Sequence, residues 1–226
     1  MSAARPPGIE PPRRLARRRK RSDGDRVLPN FINLAGDYRF LRAGYWALID
    51  AELNGVGTTP TPLQAATAQN GAACLLLAAR AGIPTVEWKV ARKPTDVEPP
   101  ALLVPVAART ATAYHVRTQR SAATQLRRAS QNGTRSVLTA RLTGPVRSMK
   151  MAVGLTTHEN FLLAWNVWRA FGLPLATIWY MEAPPLEGES DPRPLFLGLD
   201  PLPLHDLNER ELQLIEEVSQ RPMSQS

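Results

Sequence analysis

The chain has 226 residues, a hydrophobic fraction of 43% and a formal net charge of +8, enough apolar material for one sizeable domain. No apolar run approaches the roughly 18 residues that cross a bilayer, and the proline- and arginine-rich start lacks the apolar core of a secretory signal; no membrane partner and a cytoplasmic location are expected. Cys74 is the sole cysteine, which excludes an internal disulfide and a cysteine metal cluster and fits a reducing compartment.

Residues 1–26 carry no hydrophobic periodicity and are expected to form a disordered basic tail. They hold nine Lys or Arg against Glu10, Asp23 and Asp25, while the other 19 basic and 17 acidic residues nearly balance. The high isoelectric point is therefore assigned to the tail and not to the folded surface. Its core is Arg13, Arg14, Arg17, Arg18, Arg19, Lys20 and Arg21. Such a run holds phosphates through charge alone, so these seven are candidate nucleic-acid-binding residues; the plainer reading is a solvated tail.

From residue 27 to about 220 strand-like and helix-like stretches alternate, with 221–226 a flexible end. Residues 27–34 read as a strand and 39–53 as a helix stopped by Asn54-Gly55. Residues 62–81 read as one Ala- and Leu-rich helix ended by Gly82 and Pro84. Residues 85–90, 101–107 and 112–116 are strand-like, and 121–130 make a basic helix stopped by Asn132-Gly133. Residues 136–142 and 146–153, parted by Thr143-Gly144-Pro145, read as a hairpin or adjoining strands. The clearest helix begins at Thr156, where Glu159 three residues on completes a capping box. Phe161, Trp165 and Trp168 fall on one face of it, expected to be core. Phe171-Gly172-Leu173-Pro174 stops it. Residues 175–181 and 195–199 pair across an acidic, proline-rich loop, and Asp206 to Glu209 repeats the capping pattern before a last helix. The expected class is α/β or α+β: a single domain with a mixed, mostly central sheet flanked by helices.

Catalytic chemistry is poorly supplied. His115, His158 and His205 are scattered and accompany no nucleophile motif such as G-x-S-x-G. There is no G-x-x-x-x-G-K-[ST] and no G-x-G-x-x-G opening a helix; Gly55-Val56-Gly57 follows a helix instead. No cofactor, metal or catalytic residue is assigned. The best ligand- or partner-binding cluster is Asn33, Tyr38, Arg39 and Tyr45, beyond the carboxyl end of the first strand. Arg39 at a helix start opposes the helix dipole, a placement that points to a contact role, though the plainer reading is ordinary surface.

Asn33-Leu34, Tyr38-Arg39-Phe40, Gly44-Tyr45-Trp46 and Asp50-Ala51-Glu52 resemble the spacing of the N-terminal domain that precedes RimK-like ATP-grasp ligases. Met149 to Thr156, Phe171 to Leu175 and Leu199 to Leu204 resemble that domain's later blocks, so about half the chain is covered. The middle is similar to a distant ATP-grasp lobe, with Ala81-Gly82-Ile83-Pro84-Thr85 at its start. Its apparent nucleotide loop, residues 107–113, has no glycine, and the family's closing carboxylate-and-asparagine set is absent. The resemblance implies a non-catalytic accessory or substrate-recognition protein without bound ATP. Its partner would be an ATP-grasp amino-acid or peptide ligase on a separate chain, or that ligase's peptide or protein substrate. The alternative is a nucleic-acid-binding protein that uses the tail.

Overall fold

The computed structural model describes residues 31–34, 36–106, 113–188 and 190–220. The arginine-rich core of the tail, most of the loop at 107–113 and residues 221–226 lie outside these. Strand β1 (Phe31–Ile32) leads through helix α1 (Ala43–Leu53) to β2 (Thr58–Thr59), which runs parallel to β1. Helix α1 starts four residues later than the sequence suggests. Leu41 has a positive φ of 66°, which breaks the helical path, and Arg42 is extended at the N-cap. Residues 36–42 are consequently a strap and not a first helical turn.

The long helix expected over 62–81 is two helices, α2 (Pro62–Gln69) and α3 (Gly71–Arg80). Thr61 and Gln64 form a capping box in front of Pro62. Asn70 then leaves helical geometry, and its Oδ1 accepts from Ala73 N at 3.0 Å to start the next helix. The cap satisfies an orphan N–H and makes the break stable.

A four-stranded antiparallel sheet follows, built from β3 (Lys89–Ala91), β4 (Ala101–Pro105), β5 (Tyr114–Val116) and, after helix α4 (Gln119–Ala129), β6 (Val137–Arg141), in the order β3-β6-β4-β5. The next strand, β7 (Val146–Ala152), does not form a hairpin with β6. It belongs to a second antiparallel sheet, β7-β8-β9, with α5 (Phe161–Phe171), β8 (Leu175–Ala183) and β9 (Arg193–Pro201). The chain changes sheets at Thr143-Gly144-Pro145. Gly144 lies so close to β8 that a Cβ there would collide with the Glu182 carbonyl, and Glu182 N donates to Pro145 O at 3.0 Å. Thr85 adds a parallel bridge to Phe196 on β9. Helix α6 (Glu209–Gln220) closes the chain. Its capping box is Asn208 with Glu211, two residues beyond the expected pair. The α/β class stands, with its strands distributed over three sheets where one central sheet is expected.

Among the described residues four apolar clusters hold these layers, the smallest being Ala152, Leu175, Leu202 and Leu207. The largest packs α1, α2, α3 and α5 on the three-stranded sheet, where Ala65, Ala68, Ala78 and Ala164 let helices approach Ile178, Tyr180 and Phe196 closely. The second joins α4 through Ala122, Leu126 and Ala129 to one face of the four-stranded sheet. The third, including Leu102, Val104, Met181 and Leu197, ties the opposite face of that sheet to β8 and β9. Of the expected aromatic core stripe on α5, only Trp168 packs against the core, half-buried. Leu163, Ala164, Val167 and Phe171 are buried, whereas Phe161 and Trp165 are 59% and 45% exposed. Both sets fit helical spacing because α5 is apolar nearly all round, and the smaller side chains face the sheet. Neither does Thr156 form a box with Glu159; its Oγ1 accepts from His158 N at 3.2 Å in a turn, and α5 begins later with Asn160 as N-cap.

Candidate functional site

The strap at residues 36–42 gathers the cluster singled out in the sequence. Tyr38 is 1% exposed; its hydroxyl donates to Asn33 O at 2.7 Å and accepts from Leu175 N, at the start of β8, at 3.3 Å. Burial pushes its phenol far above the ordinary value. Asn33 is buried and donates from Nδ2 to Gly44 O at 3.0 Å. Gln69 on α2 clamps the strap from the other side, donating to Tyr38 O and accepting from Phe40 N at 3.1 Å. Tyr45 is buried and meets Phe40 edge to face at 5.3 Å.

Arg39 differs from its three companions. It is half-exposed, 4.0 Å from the Asp37 carboxylate. With Arg42, Asp37 and His205 it lines an open cavity of about 320 Å³. Gly36 forms part of the floor, its φ of 68° and close approach to the Leu202 carbonyl both excluding a side chain. The structure thus brings all four predicted residues together, three of them in the interior and Arg39 facing solvent. The seven tail residues proposed for nucleic acid lie outside the described residues.

A second cavity, of about 370 Å³, opens between the two antiparallel sheets. Glu87, Lys89, Glu98, Thr139, Arg141 and Met181 are among its walls. Lys89 and Glu98 form an ion pair there, and Lys89 holds the Glu98 carboxyl below its ordinary value. The Thr139 hydroxyl is buried without a hydrogen-bond partner among the described residues. Sequence reading missed this cavity because its walls come from β3, β6, β8 and β9, and no local motif connects them. The alternation of Lys89 and Glu87 along one short stretch is the only signal it leaves.

Other reactive groups are committed elsewhere. Asp200, near the end of β9, is 7% exposed and accepts from the Trp179 indole N–H at 2.6 Å. Cys74 is buried on α3; desolvation drives its thiol far up, and the nearby Asp200 adds to this, so it is no thiolate nucleophile. His158 lies 3.2 Å from the Tyr180 hydroxyl and accepts through Nδ1 from Asn160 N at 3.3 Å. That bond places the ring proton on Nε2, facing Tyr180. His115 and His205 are exposed. Among the described residues no three His, Cys, Asp or Glu side chains are grouped to hold a metal ion, and no helix is long and apolar enough to cross a membrane.

No family model and no curated protein matches the chain. Solved structures do. The RimK domain protein ATP-grasp from Sphaerobacter thermophilus DSM 20745 is 18% identical, with a TM-score of 0.52 over 74% of this chain and 71% of that one. The N5-carboxyaminoimidazole ribonucleotide synthetase from Thermotoga maritima is 12% identical, also with a TM-score of 0.52, over 80% of this chain and 56% of that one. At these identities the likeness is one of fold: the chain shares the architecture of ATP-grasp proteins.

Proposed function

We propose that this chain is a non-catalytic accessory or substrate-recognition protein built on an ATP-grasp-like fold. It works with an ATP-grasp amino-acid or peptide ligase on a separate chain. The leading-domain character of its two ends, resembling the segment in front of RimK-like ligases, belongs to the same proposal.

One observation carries this reading. The buried acid of the closing strand, Asp200, is 7% exposed and bonded to the Trp179 indole. Asp200 does not line the inter-sheet cavity, so it supplies no acid–base or cation chemistry there. In the cavity itself, Lys89 is engaged by Glu98. What remains suits recognition: an open cavity edged by Arg39 and Arg42, and exposed Phe161, Leu162 and Trp165 on α5.

Purified chain incubated with ATP, magnesium and amino acids or a short peptide is expected to release no ADP and form no amide. Co-expressed with an ATP-grasp ligase encoded beside it, the chain is expected to co-purify with that ligase and raise its rate. Amide formation coupled to ATP hydrolysis by the chain alone overturns the proposal.

A further inference from the structure

Charge is sorted along this fold. Residues 86–142, which build the four-stranded sheet and α4, contain ten Lys or Arg against Glu87, Asp96 and Glu98. Residues 143–226 contain six Lys or Arg against eleven carboxylates. The near-neutral body expected from the sequence total is therefore a correction to make: it resolves into a basic unit and an acidic one.

We infer that the outer face of α4, with the loops that flank it, is a docking surface for the phosphodiester backbone of a nucleic acid. This goes beyond the ligase-partner reading and does not depend on it. Helix α4 turns Ala122, Leu126 and Ala129 to the sheet, which leaves Arg120, Arg127 and Arg128 exposed. Arg117 stands just before the helix. At the other end, Arg92 and Arg135 border a groove of about 430 Å³ that reaches the helix at Leu126 and Ser130. All six arginines are exposed, and none is ion-paired among the described residues. Arg120 and Arg127 are about 10 Å apart along the helix axis. Between them Ala123 and Thr124 are small enough for a polymer backbone to come close.

Local carboxylates offset this face only in part: of the three, Asp96 alone lies in the turn beside α4, against six arginines. Asp96 accepts from the backbone N–H groups of Arg92 and Lys93 at 2.8 and 2.9 Å, while Glu98 pairs with Lys89 at the inter-sheet cavity, where Glu87 also lies. Helix α4 has no acid in its first turn, so its N-terminal partial charge adds to Arg117 and Arg120.

The composition of the surface selects the partner. Guanidinium groups bind phosphate oxygens in bidentate fashion, and Thr, Asn and Gln hydroxyls and amides are the usual accompanying phosphate contacts. Thr124, Gln131 and Asn132 are exposed here. An acidic peptide would draw on buried apolar anchors as well as charge. Among the described residues of the unit, Val90 alone is a strongly exposed large apolar side chain. With no exposed Phe, Tyr or Trp beside the arginines among the described residues, backbone contact without base reading is the mode that fits.

Fluorescence anisotropy of the full chain with a labelled 20-base-pair duplex DNA tests this. An Arg120→Gln/Arg127→Gln/Arg128→Gln variant is expected to bind roughly tenfold or more weakly at low salt, with a salt slope shallower by about 2–3. An Arg92→Gln/Arg135→Gln variant should show a smaller loss of the same kind. Both losses should persist when Arg17, Arg18 and Arg19 of the tail are also replaced by Gln. Unchanged DNA binding in both helix-face variants overturns the inference, as does binding that disappears with the tail substitutions alone. Polyglutamate of matched charge binding as tightly as the duplex overturns it in favour of an acidic polypeptide.

Discussion

Tyr38→Phe tests whether the strap is clamped to the start of β8. The substitution keeps the ring, so no cavity opens, and it removes one hydroxyl that makes two buried hydrogen bonds, to Asn33 O and from Leu175 N. At about 1 kcal/mol net for each, the expected loss is about 2 kcal/mol. In a chain of this length that lowers Tm by roughly 4–8 °C. Urea unfolding followed by tryptophan fluorescence should show a lower midpoint with an unchanged slope, because the surface exposed on unfolding is the same. Alkali supplies a second signature. Unfolded tyrosine ionises near pH 10, and burial raises the folded value above that. The preference for the protonated phenol contributes fully below about pH 10 and is lost as pH rises beyond it. The Phe variant has no such loss, so the gap between the two proteins should narrow in alkali. A difference below about 0.5 kcal/mol at neutral pH, within the range of a surface substitution, would refute the clamp.

Gly144→Ala forces a Cβ against the Glu182 carbonyl and should cost about 1–3 kcal/mol in a thermal melt; an unchanged melt would mean that the crossing between the sheets is looser than the structure has it. Trp179→Phe takes the indole donor from a buried carboxylate, with an expected loss of about 1.5–3 kcal/mol by urea denaturation, and a neutral result would undo the assignment of Asp200 to the packing. Lys89→Ala removes the main cause of Glu98's lowered value, so its carboxyl resonance should titrate at higher pH, nearer an ordinary glutamate; added salt should move the wild type part of the way. No movement in either case would place the two side chains apart in solution.

Most elements were legible because their boundaries are local. Strands β4, β6, β8 and β9 follow from apolar runs, and helices α1 and α4 from the Asn-Gly pairs that stop them. Errors arose where two local readings compete and the tertiary environment chooses. Asn70-Gly71 can sit inside a helix or separate two, and packing of α2 and α3 on β9 selects the separation. On α5 the stripe with two tryptophans and the stripe with Ala164, Val167 and Phe171 have the same period. The sheet below takes the smaller residues, and Gly154 rests against the rings of Trp165 and Trp168 from the side. The hairpin or adjoining strands expected across Gly144 failed for a related reason: a tight Gly-Pro turn reads alike whether its strands pair or part. The part is decided by Leu142 N, which donates to Pro100 O, beside β4.

The candidate sites divide along the same line. Asn33, Tyr38, Arg39 and Tyr45 lie close in sequence, so their assembly around one strap could be anticipated. That three of them would face inward could not, since the Tyr38 hydroxyl finds Leu175 137 residues away. The inter-sheet cavity and the basic face were invisible for a stronger reason, which is that both depend on sums taken over the right set of residues. Across residues 27–226 the positive and negative groups nearly cancel, yet the potential at a surface depends on charges within about a Debye length, roughly 8–10 Å. Helix α4 spans about 16 Å, and it belongs to a segment, residues 86–142, with ten Lys or Arg against only three carboxylates. The acidic residues that cancel them on paper belong mainly to the loop after β8 and to α6, elements attached to the other sheet. A polyanion approaching α4 therefore meets the local surplus and not the chain average, and the charge that recruits it is a property of the fold.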